Sequence, residues 1–221
     1  MYLKEYRKHI VKIGNQMVAT HLTHNGQGNI SFYDRENGLI AITPSAVPYE
    51  ERTAEDICVI DPERNIIEGK WKPTSEIALH MVIYQDHPEV NAVVHTHPPY
   101  TSVFAVIGVK EMPMVLIEAA LGIGSTLPVA PYARAGTEEI AHLTSEAMGQ
   151  ASGAVMAHHG LVTVGASLDK AYSATLAAEG TARTIIFARS IGIDPLPLDP
   201  EEVAALRYSY LHNYKPTPLE K

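Results

Sequence analysis

The run Val90-Asn91-Ala92-Val93-Val94-His95-Thr96-His97 decides how the rest of the chain is read. Apolar and β-branched before its histidines, it has the pattern of a buried strand. Side chains alternate across a sheet, so His95 and His97 at its end point to one face, and both imidazoles can reach one metal ion. Alone, a His-x-His pair is also an ordinary polar strand end, so its neighbours in the sequence carry the weight.

Upstream, Pro73-Thr74-Ser75 opens a helix through Gln85 with Thr74 or Ser75 as the N-cap. Farther back, Ile30–Tyr33 and Leu39–Thr43 flank Asn37-Gly38, a hairpin signal, and Asp56–Ile60 and Asn65–Ile67 read as short strands. From Leu3 to about Leu22, Ile10, Ile13, Met17 and Val18 recur at helical spacing among Lys, Arg and Gln, the mark of an amphipathic opening helix. Downstream come a helix over Pro99–Val106, strand-like Met114–Ile117 and Leu127–Ala130, and a helix over Thr137–Met148. Strands at Ala154–Ala157 and Leu161–Val164 then bracket a His-His-Gly turn, followed by an Ala-rich helix over Leu168–Arg189. A short helix from Asp199 lies in a tail expected to be mobile from about residue 195. Helices alternate irregularly with short strands, without repeats or linkers. The pattern predicts one α/β domain over 1–221 and argues against a doubly wound parallel sheet.

The 221 residues suffice for one large domain that buries roughly 70% of its unfolded surface. Cys58 is the single cysteine, so no intramolecular disulfide can form, and in Ile57-Cys58-Val59-Ile60 it reads as a core thiol in a reducing compartment. A net charge of −8 argues against a general nucleic-acid surface or an anionic-membrane anchor. No stretch approaches about 18 uninterrupted apolar residues, and a cytoplasmic location is expected. Eleven histidines are the compositional oddity.

Ala154-Val155-Met156-Ala157 runs into His158-His159-Gly160, where a strand stops sharply. Adjacent residues point in different directions, so at most one of the two histidines joins a site with His95 and His97. Glu76, behind Thr74-Ser75, offers a carboxylate, although an acidic residue there also suits the helix dipole. His80, one turn on, reads as a packing histidine. Three histidines and a carboxylate suit Zn²⁺ or another divalent transition metal better than Mg²⁺ or Ca²⁺. Gly28-Asn29, Ser45-Ala46 and Thr74-Ser75 supply small side chains, hydroxyls and free backbone N–H groups, a means of holding phosphate with little positive charge.

Gly28-Asn29-Ile30-Ser31, Ile42-Thr43-Pro44-Ser45, Pro73-Thr74-Ser75-Glu76, Val93-Val94-His95-Thr96-His97, Pro128-Val129-Ala130-Pro131-Tyr132 with Gly136-Thr137, and His158-His159-Gly160-Leu161 together resemble the class II aldolase/adducin family. The resemblance runs in order from about residue 5 to 192. It implies a three-layer α/β/α domain with a mainly antiparallel central sheet, assembled as a cyclic homotetramer with active sites between neighbouring subunits. Carried over position by position, it makes Glu76, His95, His97 and His159 the ligands of one Zn²⁺, leaves out His158, and gives phosphate to Gly28, Asn29, Ser45, Ala46, Thr74 and Ser75.

The activity implied is cleavage of a phosphorylated sugar, a ketose 1-phosphate like L-fuculose 1-phosphate, to dihydroxyacetone phosphate and a lactaldehyde-like aldehyde, with Glu76 as the acid–base residue. The family aldolases use a tyrosine after a sheet strand for the proton on the C4 oxygen; Ile117 stands at that position here. Its neighbour Glu118 matches a glutamate of related members and becomes the candidate, and Tyr214 resembles a family tyrosine that closes the site. Sibling reactions on the same scaffold are ribulose-5-phosphate 4-epimerisation, methylthioribulose-1-phosphate dehydration and oxo-acid phosphate decarboxylation. A non-enzymatic adducin-like scaffold is the other class of answer, and the presence of all four candidate ligands argues against it.

Overall fold

A computed structural model of the chain describes residues 1–213. The strands are β1 (Asn29–Asp34), β2 (Leu39–Ile42), β3 (Cys58–Ile60), β4 (Ile66–Glu68), β5 (Ala92–Thr96), β6 (Glu111–Met112), β7 (Leu127–Ala130), β8 (Gly153–Met156) and β9 (Gly160–Gly165). The helices are α1 (Lys4–Ala19), α2 (Ile77–Asp86), α3 (Thr101–Val106), α4 (Ile117–Ile123), α5 (Glu138–Met148), α6 (Leu168–Ser190) and α7 (Pro200–His212).

β5, the expected buried strand, has all five residues fully buried and is the middle of one open nine-stranded sheet ordered β4-β3-β2-β1-β5-β9-β8-β7-β6. Every pairing is antiparallel except β7 with β8, which a helical crossover through α5 joins in parallel. The hairpin across Asn37-Gly38 forms as the sequence predicts, pairing Asp34 with Leu39 and Ser31 with Ile42.

Alternating strand residues feed two cores. On one face Ile40, Ile42, Val93, Met156 and Val162 pack with Leu79 and Ile83 of α2 and Ile140 of α5. On the other, Ile30, Ala41 and Val94 meet Ile10, Ile13 and Met17 of α1, while Val155 and Leu161 meet Phe104 of α3, Ala120 of α4 and Ala182 of α6. Helices thus cover both faces, the three-layer arrangement that was expected. Cys58 is buried in the first core, as its apolar run implied.

Three sequence expectations need correction. Met114–Ile117 is not a strand. The strand falls earlier, at Glu111–Met112 on Leu127–Pro128, and the chain after Pro113 turns into α4. Pro113 cannot donate to a ladder, and the Met114 carbonyl accepts from Leu198 N–H instead. Secondly, α2 begins at Ile77 with Glu76 in the N-cap position. Thr74 cannot be the cap because Pro73 bridges Pro44 and Thr74 N–H donates to the Thr43 carbonyl, which keeps the segment extended. Thirdly, the helix after Asp199 is thirteen residues long, capped by the Asp199 side chain. Arg207 donates to the Leu121 and Gly122 carbonyls and to Ser152, packing residues 200–212 onto the domain. Tyr214 lies outside the described residues. Among those described, no helix is long and apolar enough to cross a membrane.

Candidate metal centre and anion cradle

His95, the last residue but one of β5, faces β9, where its Nδ1–H donates to the Leu161 carbonyl at 3.0 Å. That bond fixes the tautomer and leaves the Nε2 lone pair pointing away from the sheet. His97 follows just past the strand, its backbone N–H held by the Leu22 carbonyl. Met156 pairs with Gly160 across a three-residue turn in which His158 adopts a left-handed conformation (φ 57°). The turn throws His158 outward, exposed against the edge of Tyr132, and turns His159 inward. The sequence left one of this pair open as a ligand, and the turn brings His159 to the site.

His95, His97 and His159 each present a ring nitrogen, all within 4.8 Å of one another. Glu76, at the N-terminus of α2, closes the group: Oε2 lies 3.2 Å from His95 Nε2 and Oε1 lies 3.3 Å from His159 Nε2. The His95 and His97 Nε2 atoms are 3.0 Å apart, an approach of lone pairs that a shared cation would satisfy.

Electrostatics agrees with that reading. Burial, and the field of His95, hold His97 down at about 3 and His159 at about 4, so both rings are neutral and able to ligate at neutral pH. Glu76 is lowered from the carboxylate range: burial opposes its charge, but His95, His159 and an Asn29 hydrogen bond outweigh burial. His95 shifts the other way: burial opposes its charge, but Glu76 and the Leu161 carbonyl outweigh burial and raise it, so its Nε2 proton must leave when a cation binds. Three imidazoles and one carboxylate fit a divalent transition cation, and the carboxylate is the donor that can step off.

Gly160 makes the approach possible. A Cβ there would lie 2.5 Å from the Thr96 carbonyl oxygen, 2.9 Å from His97 Cδ2 and 3.3 Å from His95 Cε1. Gly160→Ala is therefore expected to displace His97, to weaken cation binding at least tenfold and to destabilise the fold by about 1–3 kcal/mol. Metal titration and urea unfolding measure both effects; an unchanged affinity would show that the glycine does not set the spacing.

The residues that the sequence offers for phosphate lie on segments adjoining these donors. The Pro44–Pro73 bridge and the bond from Ser45 N–H to the Lys72 carbonyl align Ser45-Ala46 with Thr74-Ser75. Ser45, Ala46 and Ser75 are exposed, and Ala46 holds a left-handed backbone (φ 58°). Thr74 is buried, and its hydroxyl accepts from Glu76 N–H. Gly28 (φ 71°) packs so tightly on β5 that a Cβ would meet the His95 carbonyl at 2.5 Å. The Asn29 amide donates to Glu76 Oε2 at 2.8 Å.

Glu118 is not part of this constellation in its own chain. It is exposed in the first turn of α4, lining a groove with Leu176, Ala177 and Tyr210.

Sequence reasoning missed the role of His80. It is fully buried and donates from Nε2 to Asn29 Oδ1, while its Nδ1 meets Ser31 Oγ at 2.6 Å. Burial, aided by the field of His95, pushes its pKa down to about 3. The unfolded chain binds a proton here below about 6.5 and the native protein does not, so stability falls as pH drops through 6.5 toward 3. Between pH 6.5 and 4.5 this one residue should remove about 2–3 kcal/mol. Urea unfolding of wild type and His80→Gln across that window should give a shallower slope in the variant, and parallel slopes would contradict the assignment.

The comparisons with known proteins point the same way. The family model described as Class II Aldolase and Adducin N-terminal domain matches residues 8–186. A 5-deoxy-D-ribulose 1-phosphate aldolase of Bacillus thuringiensis serovar kurstaki is 34% identical over 206 residues, covering 93% of this chain and 95% of that protein. The L-fuculose phosphate aldolase of Escherichia coli strain K12 is 33% identical over 193 residues, 86% of this chain and 87% of that one. A solved L-fuculose 1-phosphate aldolase superposes with a TM-score of 0.90 at 31% identity, covering 96% of this chain and 98% of its own. With most of its length matched in sequence and in fold, and the enzymes it matches named as aldolases, the chain belongs to the class II aldolase/adducin family, whose aldolases are metal-dependent lyases acting on phosphorylated sugars.

Proposed function

We propose that this chain is a Zn²⁺-dependent aldolase that cleaves a ketose 1-phosphate of the L-fuculose 1-phosphate kind to dihydroxyacetone phosphate and an aldehyde. The observation that carries the reading is a displaceable carboxylate, Glu76, closing a three-imidazole cluster directly beside a weakly charged anion cradle. His95, His97, His159 and Glu76 would hold the cation, which when bound supplies Lewis-acid stabilisation of the negative charge left on substrate oxygens by carbon–carbon cleavage.

The chain's own groups would do the rest. Gly28, Ser45, Ala46, Thr74 and Ser75 would grip phosphate through backbone N–H groups and hydroxyls, with Asn29 at the edge of the cradle, and this fixes the reacting carbons relative to Glu76. Glu76 would deliver a proton to the dihydroxyacetone phosphate carbon in cleavage and remove it in synthesis. Glu118, exposed and outside its own chain's cluster, would handle the oxygen of the departing aldehyde in the site of a neighbouring subunit, and Tyr214 would cover the substrate. This requires an assembly with sites between subunits, a homotetramer in this reading, working in the cytoplasm.

Purified protein loaded with Zn²⁺ should release dihydroxyacetone phosphate from L-fuculose 1-phosphate or from 5-deoxy-D-ribulose 1-phosphate, the two ketose phosphates of the named relatives. An NMR time course should show chelator-sensitive appearance of dihydroxyacetone phosphate and the aldehyde together. Bound metal without turnover of either substrate would overturn the aldolase reading in favour of the epimerase, dehydratase or decarboxylase reactions.

A further inference from the structure

Behind Glu76 runs a row of buried polar side chains bonded to one another. Asn29, Ser31, His80 and Tyr84 are each at most 3% exposed. Asn29 Nδ2 donates to Glu76 Oε2 at 2.8 Å, His80 Nε2 lies 2.5 Å from Asn29 Oδ1, and Ser31 Oγ lies 2.6 Å from both His80 Nδ1 and the Tyr84 hydroxyl.

We propose that Tyr84, Ser31, His80 and Asn29 form a one-way hydrogen-bonded chain in which every donor points toward Glu76, and that His80 is the positioning residue that holds this carboxylate for its acid–base work. The direction follows from donor and acceptor bookkeeping. An ionised carboxylate only accepts, so the Asn29 amide nitrogen must face Glu76 and its oxygen must face His80. That oxygen also only accepts, so His80 carries its proton on Nε2. Burial keeps the ring neutral, so Nδ1 is a bare lone pair and Ser31 must donate to it. The single Ser31 proton is then spent, and the Tyr84 hydroxyl donates to Ser31 at 2.6 Å in preference to the Asn91 carbonyl at 3.4 Å.

Reversing any link sets two acceptors, or two donors, face to face among side chains that are all buried. An amide in the row blocks simple proton hopping, so the chain orients Glu76 and does not feed it protons. α2 carries both ends of the device: Glu76 at its N-terminus, and His80 and Tyr84 one and two turns on along the same face. β1 supplies the intervening Asn29 and Ser31 from alternate positions on one side of the sheet.

This inference rests on the proposed role of Glu76, and two of its tests need no substrate. In ¹⁵N-histidine-labelled, Zn²⁺-loaded protein at neutral pH, His80 should be the Nε2–H tautomer; an Nδ1–H or doubly protonated ring overturns the chain. In metal titrations of stripped protein, His80→Leu should bind Zn²⁺ about tenfold more weakly, whereas His80→Gln, whose amide N–H can reach Asn29 Oδ1, should bind within about threefold of wild type. With a turned-over ketose phosphate, His80→Leu should lower kcat about 10–100-fold at nearly constant KM, and His80→Gln should restore most of it. Equal loss in both variants, or a loss confined to KM, would overturn the positioning role. If His80→Leu does not fold, Tyr84→Phe takes its place, with a several-fold loss of kcat at constant KM expected and an unchanged kcat counting against the chain. Absence of aldolase activity in wild type beside the expected tautomer would sink the proposed reaction and leave the chain standing.

Discussion

A His97→Ala variant should lose its bound metal on dialysis, retaining less than about a tenth of an ion per chain, and should lose turnover in proportion. Even outer partners of metal ligands cost 10–100-fold in affinity when removed, so deleting one of only three imidazoles should cost at least 100-fold. His97 suits the test because it follows β5 rather than lying in it and is only half-buried, so the sheet keeps its register without the ring. His95 would be a poorer choice, since it is fully buried and bonded to the Leu161 carbonyl of β9, and its loss would damage the sheet as well. Metal analysis by mass spectrometry after exhaustive dialysis, with far-UV circular dichroism as the folding control, reads the outcome. Full metal stoichiometry in folded His97→Ala would exclude His97 as a ligand.

The elements that position this histidine were legible in the sequence for a definite reason. Strands β5 and β8 are buried on both faces, so each carries an apolar run that stops where the histidines begin, and β9 leaves the His-His-Gly turn into a further buried run. The hairpin of β1 and β2 announced itself by Asn37-Gly38, α1 by the periodicity of its apolar residues, α5 by Gly136-Thr137-Glu138-Glu139 at its start and α6 by its alanine-rich composition. What escaped were decisions taken by tertiary contacts. Met114–Ile117 has strand composition, but Pro113 ends the pairing and Leu198 takes the Met114 carbonyl, so the chain enters α4 and carries Glu118 to an exposed helical turn. Thr74 has the chemistry of an N-cap, but Thr43 and Pro44 hold it extended, and Glu76 inherits the position.

The site divides along the same line. Which residue types could ligate was visible from the motifs; which partner each one keeps was not. Asn29 reads as a phosphate candidate in the sequence, and the fold adds a bond from its amide to Glu76, while His80 reads as packing and turns out to be linked to the carboxylate through that same asparagine. The signal that could have found it is the i, i+4 spacing of Glu76, His80 and Tyr84, three polar residues on one face of a helix whose other positions are largely apolar. Arg52, of a residue type that is mostly exposed, is buried over the Tyr49 ring and donates from Nε to the Val47 carbonyl.

Glu76→Gln should separate cation binding from proton transfer. The variant keeps the shape of the side chain and leaves all three imidazoles in place, so Zn²⁺ should remain bound with at most a modest loss of affinity. kcat should nevertheless fall on the order of 10³-fold, because an amide neither accepts nor returns a proton at the substrate carbon, and general acid–base groups contribute about 10²–10⁴. The amide also conflicts with its surroundings: its NH₂ must face either the Asn29 NH₂, donor against donor, or a ring nitrogen needed for the cation, whereas the carboxylate accepts from all sides. Slow exchange of the dihydroxyacetone phosphate C3 proton with deuterated solvent is the sharpest readout, since it needs no aldehyde and reports only the step assigned to Glu76. Wild type should exchange that proton and Glu76→Gln should not, with metal content equal in the two. Exchange at more than about a tenth of the wild-type rate would transfer the proton to another base and reduce Glu76 to a ligand.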